Sequence, residues 1–564
     1  MKNLNKILKF IVFINCTSLF LCFIACSDNG LEGGDNNKII IQGVPGEPFT
    51  SNDPFFGPGD HGDGQWYLDN SLGYAHINVT GAWEQGYTGD SILIGLVDQG
   101  ISINHEDLVD NYRTDVDWDF LENDDDPSTT GAFEYNGTAC AGLVAARGGN
   151  GKGVTGVAPH AHVAALRMAA DDKNWSFDTW KTSAIGAALH RNDVFKIKCY
   201  NFDRRWNHNA TLGEQFDDDS ELVTAIKTAD EAGVINIVTV GLGSKEDANT
   251  RMVMASRHVL AVGAVGHDGL RGDRYALIAS FYGALTSSMF VCAPATFETT
   301  GNHQHNSGLT ALDQKGNKGG NNINGNQNYN DKFRAPSAAS SIVSGVVALI
   351  LQANPNLDTR GVKHVLANTS VKTESEYDDN KGDPLWVKNA AGLDYSTEYG
   401  FGIVDATAAV NFAKTYSGPG TEVSFGSGTK AVGAHEFGQG ARIKRNFTIA
   451  ESYPLETIEL RIDMSPVKDA KYGNGNVHWS SHAIYLTSPS GTRIKIMTTG
   501  NGLKFGVVDG MELPLGIEAN SWLFSSPAFW GENPAGEWEV EIYQQPALVV
   551  NSWDSFEFTG YGSN

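Results

Sequence analysis

Positive charge is in short supply in this chain. Lys and Arg number 41 against 66 Asp and Glu, a formal net charge of −25 over 564 residues. Such a surface repels phosphate backbones and anionic bilayers, which argues against nucleic acid as a partner. Cysteine is scarcer still, six in all. Cys16, Cys22 and Cys26 crowd the N-terminus, while Cys140, Cys199 and Cys292 are scattered through apolar surroundings. An odd number so dispersed reads as buried free thiols, not as a disulfide framework or a catalytic thiol. No Cys/His group has zinc-finger spacing. Acid is clustered, in "NDDDP" (123–127) and "FDDDSE" (216–221). Runs of this kind are solvated loops or, alternatively, oxygen ligands for a hard cation.

The N-terminus carries a targeting pattern. "MKNLNKILKF" supplies lysines, and "IVFINCTSLFLCFIAC" an apolar core too short for a comfortable membrane span. It closes on Phe23-Ile24-Ala25-Cys26, which resembles a bacterial lipobox with Phe23 in place of the usual leucine. That resemblance implies a signal peptide over 1–26 and lipidation at Cys26. The expected location is then the bacterial cell envelope, at the outer membrane or cell surface, with the bilayer touched only through the anchor. "CSDNGLEGGDNN" opens a flexible tether and N-terminal lead over 27–59.

Beyond the tether, strands and helices alternate. "SILIGLVD", "HVAALRM", "VINIVTVG", "HVLAVGAVG" and "SMFVCAP" are short apolar runs of the buried parallel type. "ELVTAIKTADEAG" is an amphipathic helix closed by Gly233, and "SAASSIVSGVVALILQA" a long, almost wholly apolar one. The fold class expected over 60–415 is α/β, a parallel sheet with helices on both faces. Gly and Asn dominate 299–334, which predicts a mobile loop. "YSGPGTEVSFGSGTK" opens a linker over 416–440. From 441 to 564, β-type runs separated by Pro, Gly and Ser turns predict an all-β, jelly-roll-like sandwich.

Several segments in order carry a family likeness. "INVTGAWEQGYTG", "VDQGISINHEDLVDNY", "NGTACAGLVAA", "GKGVTGVAP", "SGVVALILQANPNL" and "YGFGIVDATAAV" resemble the subtilisin superfamily, peptidase family S8, in its kexin-like branch. "LTSPSGT", "FWGENPAGEWEVEIY" and "FTGYG" resemble the P domain that follows such catalytic domains. The resemblance places Asp98 at the triad aspartate and Ser337 at the nucleophile. Asn136 falls where the family has histidine, and Leu242 where it has the oxyanion asparagine. Ala335-Pro336 replaces the Gly-Thr before the serine, and Ser341 the proline four residues on. "CYNFDRRWN" stands where the branch has its substrate-pairing strand. The resemblance also implies structural calcium, held at one site by Asp107 and Asn150 and at a second by Asp119, Asp124 and Asp126.

The departures bear on chemistry. A serine hydroxyl needs a base to take its proton as it attacks a carbonyl. An amide can hydrogen-bond the aspartate but cannot accept that proton. In subtilisin, loss of the base lowers turnover about 10⁶-fold, and loss of the oxyanion donor about 10²–10³-fold. Leucine donates nothing there. The expected protein is a catalytically inactive protease homologue that binds a peptide or an envelope protein. The alternative is an active, calcium-dependent serine endopeptidase with a substitute base, Glu134 or one of His105, His160 and His162. A purely architectural envelope module, with no peptide groove, is the third class.

Overall fold

Strand β1 (Leu93–Asp98) organises the first domain. Its side chains alternate between two cores. Ile94 and Leu96 join one apolar cluster, while Leu93 and Val97 join the other. A strand apolar on both faces needs cover on both, and helices supply it. The computed structural model describes residues 43–57, 64–69, 73–170, 177–190, 199–202, 220–240, 252–270, 286–296, 308–320, 327–373, 383–437, 440–466, 477, 479, 482–497, 505–508, 511–514, 520–544 and 551–564.

Around β1 lie β2 (Trp118–Asp119), β3 (His162–Arg167), β4 (Cys199–Phe202), β5 (Ile235–Thr239), β6 (Val259–Gly266) and β7 (Val291–Thr296). Together they form a seven-stranded sheet in the order β2-β3-β1-β4-β5-β6-β7. Every pairing in it is parallel. After the short α1 (Thr80–Trp83), helix α2 (Asn136–Ala145) packs in the first cluster. Helices α3 (Phe177–Ala188) and α4 (Ser220–Glu231) pack in the second, and a short α5 (Met252–Ala255) follows. The 18-residue α6 (Pro336–Ala353) is buried along its whole length. It is long and apolar enough to cross a membrane, yet it is the core helix of this domain. Helices α7 (Thr359–Thr369) and α8 (Ala406–Ala413) complete the domain, each N-capped by an aspartate, Asp358 and Asp405. Cys140, Cys199 and Cys292 are free and buried.

Two of the boundaries expected from the sequence are redrawn, and the lead within 27–59 gains a definite place. Within 299–334, β8 (Leu309–Leu312) and β9 (Tyr329–Phe333) form an antiparallel pair, so part of that stretch is strand and not loop. Leu309, Ala311, Leu312, Tyr329 and Phe333 are buried, a set of apolar positions that the Gly/Asn-rich composition masks. The lead is not all tether. Gly43 donates its N–H to the Ala353 carbonyl, and Phe49 sets its ring edge-on to Trp83 at 5.2 Å. Finally, much of 416–440 is strand: β12 (Glu422–Gly426) and β13 (Lys430–Phe437), introduced after the β10 (Val387–Lys388) and β11 (Asp394–Tyr395) hairpin.

The second domain is a sandwich of two antiparallel sheets. One holds β12 and β13, both on β22 (Asn551–Ser563), with β15 (Leu455–Pro466) and β20 (Ser521–Ser526) beyond. The other runs β14 (Arg442–Ile449), β21 (Gly536–Gln544), β16 (His482–Thr487), β17 (Arg493–Met497). A separate hairpin pairs β18 (Phe505–Val508) with β19 (Met511–Pro514). Trp538 packs between the sheets, 4.9 Å from Phe558 and 5.2 Å from Phe529. The two domains meet closely. Arg360 of α7 forks onto Glu456 at 2.7 and 2.6 Å, and Arg257 reaches Glu422 at 2.6 Å.

Candidate active site

Three polar side chains meet at one end of the parallel sheet. Asp98 is the last residue of β1, where carboxyl ends of parallel strands gather site residues. Asn136 is the first residue of α2, and Ser337 the second of α6. Pro336 opens α6, a place where the missing N–H costs nothing. The approach of α2 to β1 requires glycine: a Cβ on Gly137 would stand 2.2 Å from the Gly100 carbonyl oxygen. That contact sets Asn136 beside Asp98.

The three form one hydrogen-bonded row. Asn136 Nδ2 donates to Asp98 Oδ2 at 2.8 Å, and Ser337 Oγ donates to Asn136 Oδ1 at 3.2 Å. The order is forced. An ionised carboxylate only accepts, so the amide must turn its NH₂ to Asp98 and its carbonyl to the serine. Asp98 Oδ1 takes the Gln99 N–H at 2.6 Å. All three residues are buried, at 4%, 6% and 3% exposed. The serine backbone is held as well: its carbonyl accepts from Ser340 Oγ at 3.0 Å, Ser341 Oγ at 2.8 Å and Cys140 Sγ at 3.8 Å. Asn201 of β4 donates to Ser341 Oγ at 2.9 Å, which gives the replacement of proline by Ser341 a partner on the neighbouring strand.

What this row can do is limited by its middle member. Proton transfer along Ser–X–Asp needs X to take a proton on the serine side and carry charge stabilised on the aspartate side. An amide carbonyl accepts a hydrogen bond but not the proton. Leu242, Cys26 and residues 203–207 of "CYNFDRRWN" lie outside the described residues. The candidate substitute bases are occupied elsewhere. Glu134 Oε2 accepts the N–H groups of Thr130 and Gly131 at 2.8 and 2.9 Å and lies 3.7 Å from Arg167. His105 is fixed between the Asn328 carbonyl and the Asp107 N–H. His160 bonds Thr88. His162 begins β3 opposite Leu93, at the far end of the strand pair from Asp98.

The two calcium expectations fare differently. Asp107 is fully buried and has no ion-pair partner among the described residues. Its Oδ1 accepts from Asn150 Nδ2 at 2.7 Å and its Oδ2 from the Val154 N–H at 2.9 Å. Asp53, which the sequence reading did not single out, grips the same loop through the N–H groups of Gly149 and Gly151 at 2.8 and 3.0 Å. Burial, with the Asp53 and Glu106 carboxylates adding, pushes the Asp107 carboxyl up to about 7. A buried carboxylate beside other carboxylates and without a cation fits a hard ion with oxygen ligands. The second set does not fit. Asp119 is already paired with the buried Arg167 at 2.6 Å, and Asp124 and Asp126 accept N–H groups of their own turn. The guanidinium supplies the positive charge that an ion would bring. Among the described residues, no three His, Cys, Asp or Glu side chains gather as a metal-ligand set.

A parallel sheet carrying Asp and Ser at these stations, with an amide between them, defines a serine-protease fold of the subtilisin type. The model of the subtilase family matches residues 89–402, and that of the proprotein convertase P-domain residues 478–559. The chain therefore belongs to the subtilase family and carries a P domain. It is 29% identical over 497 residues to Furin-1 of Xenopus laevis, covering 85% of this chain and 55% of that one. With Kexin of Saccharomyces cerevisiae the identity is 26% over 511 residues, covering 88% and 54%. The chain thus spans about half the length of these curated relatives. The solved serine protease of Aeromonas sobria superposes with a TM-score of 0.74 at 19% identity, covering 94% of this chain and 99% of that one. The same protease in complex with its chaperone gives 0.73, covering 89% and 94%.

Proposed function

We propose that this chain is a non-catalytic subtilase that acts by binding a peptide or another protein of the cell envelope, tethered by lipid at Cys26. One observation carries the reading: Asn136 stands between Asp98 and Ser337 with its carbonyl, not a basic nitrogen, toward the serine. The serine is held in place but is not activated. Leu242 in "VTVGLGS", at the position of the oxyanion donor, points the same way. Calcium in this reading is structural. Asp107 and Asp53 would hold it with the Asn150 side-chain carbonyl, tying the lead to the loop at 149–154, and it would serve the fold alone.

The test is chemical. The purified full chain is incubated at neutral pH with a serine-reactive fluorophosphonate, with Ser337→Ala alongside. No Ser337-dependent labelling is expected. Stoichiometric labelling that disappears in Ser337→Ala would overturn the non-catalytic reading in favour of an endopeptidase with an unrecognised base.

A further inference from the structure

The junction of the two domains contains a hydrogen bond whose direction admits only one protonation state. Trp530 lies in the turn after β20 and is 3% exposed, because its ring enters the first domain. There it stands edge-on to Phe290 at 5.5 Å and to Phe401 at 6.4 Å. The turn is held on either side as well. Asn389 Nδ2 donates to the carbonyls of Ala528 and Trp530, both at 3.0 Å, and the Ala390 N–H reaches Glu532 Oε1 at 2.8 Å. At the bottom of the contact, the Trp530 indole N–H donates to Nδ1 of His364 at 3.2 Å. His364 sits on α7 and is stacked on Tyr416 at 4.7 Å and 13°.

An indole nitrogen is a donor only. Nδ1 of His364 must therefore carry a lone pair, and the imidazole is neutral with its proton on Nε2. A proton taken from solvent at Nδ1 would set two N–H groups against each other across the interface, and the bond would be lost. We propose that His364 and Trp530 form a protonation-sensitive latch, in which uptake of one proton at His364 Nδ1 releases the 527–532 turn of the P domain from the subtilase domain.

The surroundings favour the neutral ring. Burial holds the imidazole below its ordinary value, and Glu456 opposes this. Glu456 is itself tied to Arg360, which sits one turn earlier on α7. The other charged groups on the packed elements have partners of their own. Lys363 of α7 donates to the Arg257 carbonyl, Lys414 beyond α8 to Gln85, and Glu532 of the P domain accepts from Ala390 and Thr492. The Tyr416 face would welcome a cation, but it leaves the clash at Nδ1 in place. With a folded value below the unfolded one, the contribution of His364 is complete above about pH 6.5 and is lost as pH falls through the folded value.

Hydrogen exchange of residues 527–532 in the full chain, corrected for the intrinsic pH dependence of exchange, reads the latch directly between pH 8 and pH 5. Opening is expected to rise by up to about tenfold per pH unit as pH falls from about 6.5 to the lower folded value of His364, and to level off below it. His364→Asn keeps an acceptor that does not titrate, and its acid-induced opening is expected to be flat over that range. Trp530→Phe keeps the ring without the donor: it should exchange faster at pH 8 and lose the acid response of this pair. An acid response that persists unchanged in either variant overturns the latch.

Discussion

Two buried carboxylates in this molecule are treated in opposite ways. Asp98 and Asp107 are each almost wholly enclosed, and each accepts a hydrogen bond from an asparagine NH₂ group, at 2.8 and 2.7 Å. Around Asp98 the amide completes the set: its carbonyl has a donor in Ser337, and the row closes on itself. Around Asp107 the nearby charges are further carboxylates, Asp53 and Glu106. In the first environment, the Asn136 amide and the Gln99 N–H, both neutral, donate to the carboxylate. In the second, burial and the neighbouring carboxylates push the Asp107 carboxyl up to about 7, the setting on which the proposal of a structural cation rests. The same residue type thus stands beside a carboxylate in a hydrogen-bonded row at one place and in a cluster of carboxylates at the other.

Restoring a base in the Asp98 row is the strongest way to break the comparison. Asn136→His returns the triad residue types, and with Leu242 at the position proposed for the oxyanion donor only trace cleavage of a fluorogenic peptide is expected. Adding Leu242→Asn should raise turnover about 10²–10³-fold over the single variant. Robust cleavage by Asn136→His alone would show that one residue holds the enzyme off and that the groove is otherwise intact.

Next in size is the Asp107 cluster. Calcium at a hundredfold excess over its Kd should raise unfolding stability by about 2.7 kcal/mol, because it binds the folded state only. Asp107→Asn should erase the gain. A thermal midpoint indifferent to both chelator and calcium would remove the contrast between Asp107 and Asp98.

Truncating the amide sharpens the structural half of the argument. Asn136→Ala deprives Asp98 and Ser337 of a buried partner at once, and a loss of about 1–3 kcal/mol is expected in denaturant unfolding. No loss would mean that the row is mere proximity. The smallest effect belongs to Asn201→Ala. It removes a donor to Ser341 but also an amide oxygen that has no partner among the described residues, so about 0.5–1.5 kcal/mol is expected.

The row Asp98–Asn136–Ser337 was legible in the sequence because each residue lies inside a long motif that locks its register. The α/β alternation was legible for a local reason too, since apolar runs and helix faces are written in consecutive residues. What escaped was written across distance. Asp53 looks like any acid in a lead peptide until folding carries it to Gly149 and Gly151. Arg167 is one basic residue at the end of a strand, and nothing in "HVAALRM" announces that it neutralises Asp119. The strands at 422–437 read as linker because their partner, β22, lies more than a hundred residues on. Composition hid β8 and β9 for another reason: their few apolar positions are diluted by Gly and Asn.

Strand β22 has a consequence for the order in which this molecule assembles. It takes β12 and β13 on one edge and β15 on the other, so that sheet has no centre without it. Its Ser563 hydroxyl also bonds Glu456 and Arg360, where the domains are clamped. Pairings of such long reach must close large loops before they return any contact energy, which makes them slow steps in folding. The subtilase domain, with neighbours such as β1, α2 and β3 close in sequence, can be well advanced while the sandwich is still open. Until β22 arrives, β15 has β20 on one side only and presents a bare edge on the other, a form of strand prone to pair with another chain. Refolding from denaturant is therefore expected to show a late phase carried by the P domain, and aggregation during that phase should fall on β15.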